Sequence, residues 1–194
     1  MRRMLARIIV LSLTLLLLNA FPAASQDAAW AALRQGNAVA LVRHAQAPGG
    51  AGDPPGFKLQ DCTTQRNLSA QGRGEARALG ARFRAQNIPV TKVMTSQWCR
   101  CRETATLMNL GAIEEAPTFN NAFVLAGQRD PLTQGARAII ANWKGPGVLV
   151  VVTHGANILQ LTGIQPAEAE VVVVELAPDS DKKLRVLGRI APLS

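Results

Sequence analysis

The sequence predicts an α/β domain built on a largely parallel sheet. Short apolar runs of strand length alternate with segments of helical periodicity. The run at 148–152, VLVVV, is apolar without a break, as expected of a strand covered on both faces. Three of the strand ends also carry polar, chemically capable residues, and sites in such sheets form at the carboxyl ends of strands.

The elements follow in order. Ala28 to Arg34 reads as a short helix ending at Gly36, and residues 38–42 (AVALV) as the first strand, running straight into Arg43 and His44. A loop of about twenty residues, rich in glycine and proline, comes next; loops of that length inside a domain are commonly functional. Ser69 is a fitting N-cap for a helix over 70–86, with Ala76, Leu79 and Phe83 at helical spacing. Residues 90–95 form a second strand, followed by Ser96 and a helix from Trp98 to Asn109. Asp130-Pro131 opens a further helix with a cap and a first-turn proline, its core stripe being Leu132, Ala136, Ile139, Ile140 and Trp143. After the strand at 148–152 come Thr153-His154-Gly155 and a short helix ending at Gly163. Valines 171 to 174 and residues 184–187 form two late strands, with a hairpin around Pro178-Asp179 as one way to join them.

The chain has 194 residues, and residues 1–25 read as a secretory signal peptide rather than as part of the fold. Arg2, Arg3 and Arg7 precede an apolar run from Ile8 to Leu18, and Ala23-Ala24-Ser25 supplies the small residues of a cleavage site. The apolar run is shorter than the ~20 residues of a membrane span. An uncleaved N-terminal anchor is the rival reading, and only then is a membrane a partner. Residues 26–194 then form one domain in a periplasmic or secreted protein. Losing three arginines and no acids lowers the net charge from +8 to +5. That modest excess suits an anionic small molecule. Nucleic acid is not expected, because the arginines are scattered and no aromatic ladder accompanies them. Arg73, Arg77 and Arg84, for example, share the outer face of one helix.

Three cysteines, Cys62, Cys99 and Cys101, imply one disulfide and one free thiol in an oxidising compartment. Cys99 and Cys101 sit two apart in a helix and point in different directions, so Cys62 pairs with one of them. The cysteines and histidines lack metal-type spacing, and no cofactor is implied.

The chain holds only two histidines, each directly after an apolar strand. A single such histidine reads as a hydrogen-bonded structural residue; two, one of them preceded by arginine, point to phosphoryl transfer. A neutral imidazole is a competent nucleophile near neutral pH and can carry a phosphoryl group covalently. Fixed cationic donors stabilise the charge on that group. Arg43 supplies a guanidinium fork beside His44, and the helix start after Ser96 offers backbone N–H groups to an anion. Arg100 and Arg102 lie about 200° apart around their helix, so only one faces the pocket, and periodicity alone does not choose.

Four segments resemble the histidine phosphatase, or phosphoglycerate-mutase-like, superfamily: VALVRHAQ, RNLSAQGRGEA, TSQWCRCRETA and VVTHGAN. They fall in order over residues 39 to about 160. The resemblance implies a three-layer α/β/α sandwich with a mostly parallel sheet and metal-independent chemistry. It implies His44 as nucleophile, with Arg43, Arg100 and His154 lining the phosphate pocket; the Ser-x-x-x-Arg-x-x-x-Thr-Ala pattern selects Arg100. Together with the leader, the small size resembles an exported bacterial branch that includes a phosphatase of lipopolysaccharide heptose phosphate, so a sugar phosphate is one candidate substrate. Two departures stand out. Gln46 replaces a common glutamate, which alters a local hydrogen bond. The stretch APTFNNAFVLAG offers Asn120 and Asn121 where many relatives carry a glutamate as proton donor, and asparagine cannot donate a proton there. Asp61, Glu114, Glu115 and Asp130 read as surface or capping residues.

The leading expectation is a phosphomonoester hydrolase acting on a small phosphate ester through phospho-His44. A mutase is disfavoured by the export signal. The alternative from another class is a phosphate-binding module that kept the pocket and lost its acid. A metallohydrolase using the two histidines and Cys62 ranks third.

Overall fold

The computed structural model describes residues 23–176 and 184–193. The expected leader up to residue 22 and the Pro178-Asp179 turn therefore lie outside the described residues. Six strands form one sheet in the order β3-β2-β4-β1-β5-β6, comprising β1 (Val39–Arg43), β2 (Val90–Thr95), β3 (Ile113–Glu115), β4 (Val148–Thr153), β5 (Val171–Leu176) and β6 (Leu184–Ile190). The pairs β2–β3, β2–β4 and β1–β4 are parallel, whereas β5 runs antiparallel to both β1 and β6. The sheet is thus mostly parallel, as the sequence predicts.

Strand alternation sorts the core into two halves. Ala40, Val42, Val150, Val152, Val171 and Val173 meet Trp30, Leu33, Phe83, Trp98 and Met108. These come from helices α1 (Ala23–Gln35), α2 (Ala70–Ala85) and α3 (Cys99–Met108), together with the residue before α3. The intervening Val39, Leu41, Leu149, Val151, Val172 and Val174 meet Ala136, Ile140, Ile158 and Leu161 on the opposite face, from α4 (Arg129–Ala141) and α5 (Gly155–Thr162). Helices therefore cover both faces, giving the three-layer sandwich.

Local signals account for most boundaries. Ser69 caps α2 by accepting from the Gly72 N–H at 2.9 Å. The helix α3 ends at Asn109, which is left-handed at φ 48°, and α5 ends at Gly163, at φ 76°. Where α2 crosses α3, a Cβ on Gly80 would lie 1.9 Å from the Met108 carbonyl oxygen, so the two helices can approach that closely only at glycine.

Two elements differ from the sequence reading. The first helix begins at Ala23 rather than Ala28, and the Ser25 carbonyl packs where a side chain on Gly188 would sit. The sequence reading has no counterpart to β3, whose three residues are all exposed. In the α4 stripe Ala136 and Ile140 are buried, while Leu132, Ile139 and Trp143 are only partly so.

Candidate active site

Register brings the two histidines together. Arg43, the last residue of β1, pairs with Thr153, the last of β4, so the next residue in each strand emerges at the same edge. The His44 N–H continues the ladder onto the Thr153 carbonyl at 2.9 Å. The two imidazole centroids are 5.5 Å apart, and both residues are buried.

Hydrogen bonding fixes the state of each ring. His44 Nδ1 lies 2.9 Å from the Ala45 carbonyl oxygen. A carbonyl only accepts, so Nδ1 carries the proton and Nε2 presents a lone pair. Burial, then the Arg100 charge, then Arg43 and Arg66, hold His44 down at about 3, so the ring stays neutral. His154 is also held well below its ordinary value, first by burial and then by Arg100. Its Nδ1 faces Arg100 Nη2 at 3.5 Å and its Nε2 faces Ser96 Oγ at 2.9 Å. A guanidinium only donates, which assigns the His154 proton to Nε2. Ser96 Oγ in turn donates to Asn120 Oδ1 at 3.3 Å.

Both predicted arginines line the same cavity, of about 240 Å³, as His44 and His154. Arg43 donates to the Pro166 carbonyl at 2.9 Å and pairs with Glu168 at 3.4 Å. Arg100 forms a bidentate pair with Asp53, at 2.7 and 3.2 Å, and both side chains are almost wholly buried. Burial alone would raise the Asp53 carboxyl. The Arg100 hydrogen bonds and charge, the Trp98 indole and the Arg66 N–H outweigh it and hold Asp53 below the usual carboxylate range. The Nε atoms of Arg43 and Arg100 are buried without a hydrogen-bond partner. Two cationic side chains lining one cavity beside two neutral imidazoles suit it to an oxyanion. Arg102 points elsewhere and pairs with Glu115 at 2.9 Å, as helix geometry requires once Arg100 faces inward.

One expectation is corrected. The N–H groups after Ser96 are not free for an anion: Gln97 donates to Asn120, Trp98 to Ser96 Oγ and Cys99 to Gln65. The helix start that lines the cavity is instead that of α5, with Gly155 and Ala156.

Sequence reasoning missed Asp53 and Arg66. Arg66 donates to the carbonyls of Pro48, Gly52, Gly50 and Ala47, closing the glycine-rich loop over the site. Asp53 is the one acid between residues 47 and 60, and that isolation was the available signal. The loop is also stapled by a Cys62–Cys99 disulfide, while Cys101 is a free, buried thiol. Burial pushes the Cys101 thiol up to about 12, so it stays protonated beside His154. Gln46 is tied to the α2 cap, accepting from the Ser69 hydroxyl. Asp61 caps a short helical turn by accepting from the Thr63 N–H, Glu114 pairs with Lys92, and Asp130 is exposed at the start of α4.

A cavity at the carboxyl edge of a sheet, walled by two arginines and two neutral histidines, has the chemistry that phosphoryl transfer needs. The sequence model of the histidine phosphatase superfamily (branch 1) matches residues 39–120. That span includes Arg43, His44 and Arg100, while His154 follows from the fold. Over that stretch, which is less than half of its 194 residues, the chain resembles the histidine phosphatase superfamily. Solved structures share the fold at low identity. The protein histidine phosphatase SixA complexed with tungstate is 18% identical, with 79% of this chain and 96% of that one covered at a TM-score of 0.53. A mycobacterial glucosyl-3-phosphoglycerate phosphatase is 16% identical, with 78% and 97% covered and a TM-score of 0.55. A phosphoserine phosphatase from Entamoeba histolytica, in complex with 3-phosphoglyceric acid, is 11% identical, with 79% and 96% covered and a TM-score of 0.57. No curated protein matches the chain at a significant level.

Proposed function

We propose that the protein is an exported, metal-independent phosphomonoesterase in which Nε2 of His44 takes the phosphoryl group of a small ester. The observation that carries this is a neutral His44, with Nδ1 on a carbonyl and Nε2 left for attack, in one cavity with Arg43 and Arg100. Attack forms an N–P bond as the P–O bond to the leaving group breaks. The arginines and the α5 N–H groups stabilise the charge on the phosphoryl oxygens. Water then cleaves the phosphohistidine to release inorganic phosphate. Asp53 keeps the Arg100 fork aligned throughout.

The cavity volume suits a small ester, a sugar phosphate as well as an aryl one. Export is supported by the N-terminal sequence and by the Cys62–Cys99 disulfide, which is at home in an oxidising compartment. The metallohydrolase reading loses its thiolate, since Cys62 is consumed in that disulfide. The binding-module reading keeps one observation in its favour: no acid among the described residues lines the cavity.

The deciding experiment is hydrolysis of p-nitrophenyl phosphate by the mature protein between about pH 4 and 8, with EDTA present. His44→Ala should abolish turnover while the fold, read by circular dichroism, persists. Turnover that survives this substitution refutes His44 as the nucleophile. Phosphate binding without any turnover identifies a binding module instead, and activity lost to EDTA refutes metal independence.

A further inference from the structure

Among the described residues, the acids around the site are all engaged elsewhere. Asp53 is saturated by Arg100, the Trp98 indole and the Arg66 N–H. Glu168 pairs with Arg43 and lines the neighbouring cavity formed by residues 46–51, not the one that holds His44. Glu170 is buried against Arg189 and the Ala167 N–H, and Glu75 receives the Gln46 N–H and the Gln71 amide. The position expected to hold a proton donor has Asn120, whose amide is locked onto Gln97 and Ser96. Next to it, Asn121 lines the cavity, with its Oδ1 occupied by the Phe123 and Val124 N–H groups. Its amide NH2 can donate a hydrogen bond but cannot give up a proton. Phe123, 54% exposed, is the one aromatic ring besides the two imidazoles in the cavity lining, which also includes Ala51, Gly52 and Ala156 and the polar Arg66 and Gln165.

Resting on the phosphatase reading, we infer that the site takes phosphate compounds whose leaving group departs as a weakly basic oxyanion, aryl or enol esters and acyl phosphates, and discriminates against alkyl esters such as polyol phosphates. When His44 Nε2 bonds to phosphorus, the breaking P–O bond leaves its electron pair on the departing oxygen, and no group among the described residues supplies a proton to it. A phenolate, enolate or carboxylate holds that pair; an alkoxide does so poorly. Water attacking the N–P bond then delivers the remaining protons, so the balance closes as oxyanion plus dihydrogen phosphate. Phe123 offers such a planar leaving group an apolar face that a polyhydroxylated one would not use, and Asn121 offers one hydrogen bond to its developing negative charge.

The test is kcat/KM for a graded series, because this constant reports the steps up to loss of the leaving group. The series runs from p-nitrophenyl phosphate, through phenyl phosphate with a phenol near pKa 10, to glycerol 3-phosphate, with acetyl phosphate as the acyl member. A general acid is worth ~10²–10⁴-fold. Without one, glycerol 3-phosphate should fall at least ~10³-fold below p-nitrophenyl phosphate, with acetyl phosphate among the best substrates. A profile level to within ~10-fold, still abolished by His44→Ala, overturns this inference and leaves the phosphatase reading standing. A protein inert towards every member removes both. In Glu168→Gln the slope should be that of the wild type; a steeper slope identifies Glu168 as the missing acid and overturns the inference as well.

Discussion

Lowering the pH from 7 to 5 should destabilise this protein through its site alone. The chain has only two histidines, and both are buried in the cavity and held neutral. The unfolded chain binds a proton on each below about pH 6.5, while in the native protein His44 is held down at about 3 and His154 is likewise held well below its ordinary value. A lowered histidine therefore weakens the fold as pH falls, with a slope approaching ~1.36 kcal/mol per pH unit per group. Integrated from pH 7 to 5, that is about 2 kcal/mol for each histidine, or about 4 kcal/mol together. The Asp53 carboxyl, also lowered, adds its own loss only below about pH 4, outside this window. Urea denaturation with the disulfide intact measures the effect directly. The wild type should lose about 4 kcal/mol over the interval, His44→Gln and His154→Gln about 2 kcal/mol each, and the double variant almost none. A wild-type stability that is level across the interval, or single variants with the wild-type slope, would refute the neutral, desolvated pair on which the nucleophile argument rests.

Three further outcomes follow from the packing. Asp53→Asn leaves the Arg100 charge buried without its counter-ion and should lower stability by ~3 kcal/mol, measured by urea midpoint; an unchanged midpoint would mean that Arg100 reaches solvent. Gly80→Ala should cost about 2 kcal/mol or more despite the better helix propensity of alanine, because its Cβ would meet the Met108 carbonyl; a stabilised variant would disprove the close α2–α3 approach. Replacing both Cys62 and Cys99 by serine opens a loop with a sequence separation of 37, worth up to ~4 kcal/mol in the chain-entropy account. In that protein Cys101 should still resist an aryl disulfide reagent at about pH 8 until denaturant is added, and rapid labelling of the folded protein would contradict its burial.

Legibility in the sequence tracked the range of the interaction responsible. The strands β1 and β4 and the helix α2 announce themselves through local hydrophobic pattern and the Ser69 cap, and His44 and His154 through their place just after apolar runs. The three-residue strand β3 has no such pattern, because all its residues are exposed and it joins the sheet through its backbone, with only surface ion pairs from its glutamates. Asp53 stands 47 residues from Arg100, in a loop without periodicity, so nothing local marks their contact. The same distance effect hid most of the loss of the anion site after Ser96: two of the three acceptors that occupy those N–H groups, Gln65 and Asn120, come from remote loops. At the other extreme, Ala23-Ala24-Ser25 satisfies both a cleavage pattern and a helix start, and local sequence has no means to separate the two.

The register of β1 against β4 has a consequence for how this molecule can change. Arg43 and Thr153 are paired, so the spacing of the two imidazoles is inherited from the hydrogen-bonded interior of the sheet, where neither histidine can drift without dislocating a central strand. The walls that meet the leaving group, Ala51 and Gly52 on one side and Asn121 and Phe123 on the other, hang from loops outside that lattice. Reaction and selectivity thus occupy mechanically separate parts of one chain. Insertions and exchanges in the two loops can retune what is released while the apparatus that grips and transfers phosphate stays fixed in place.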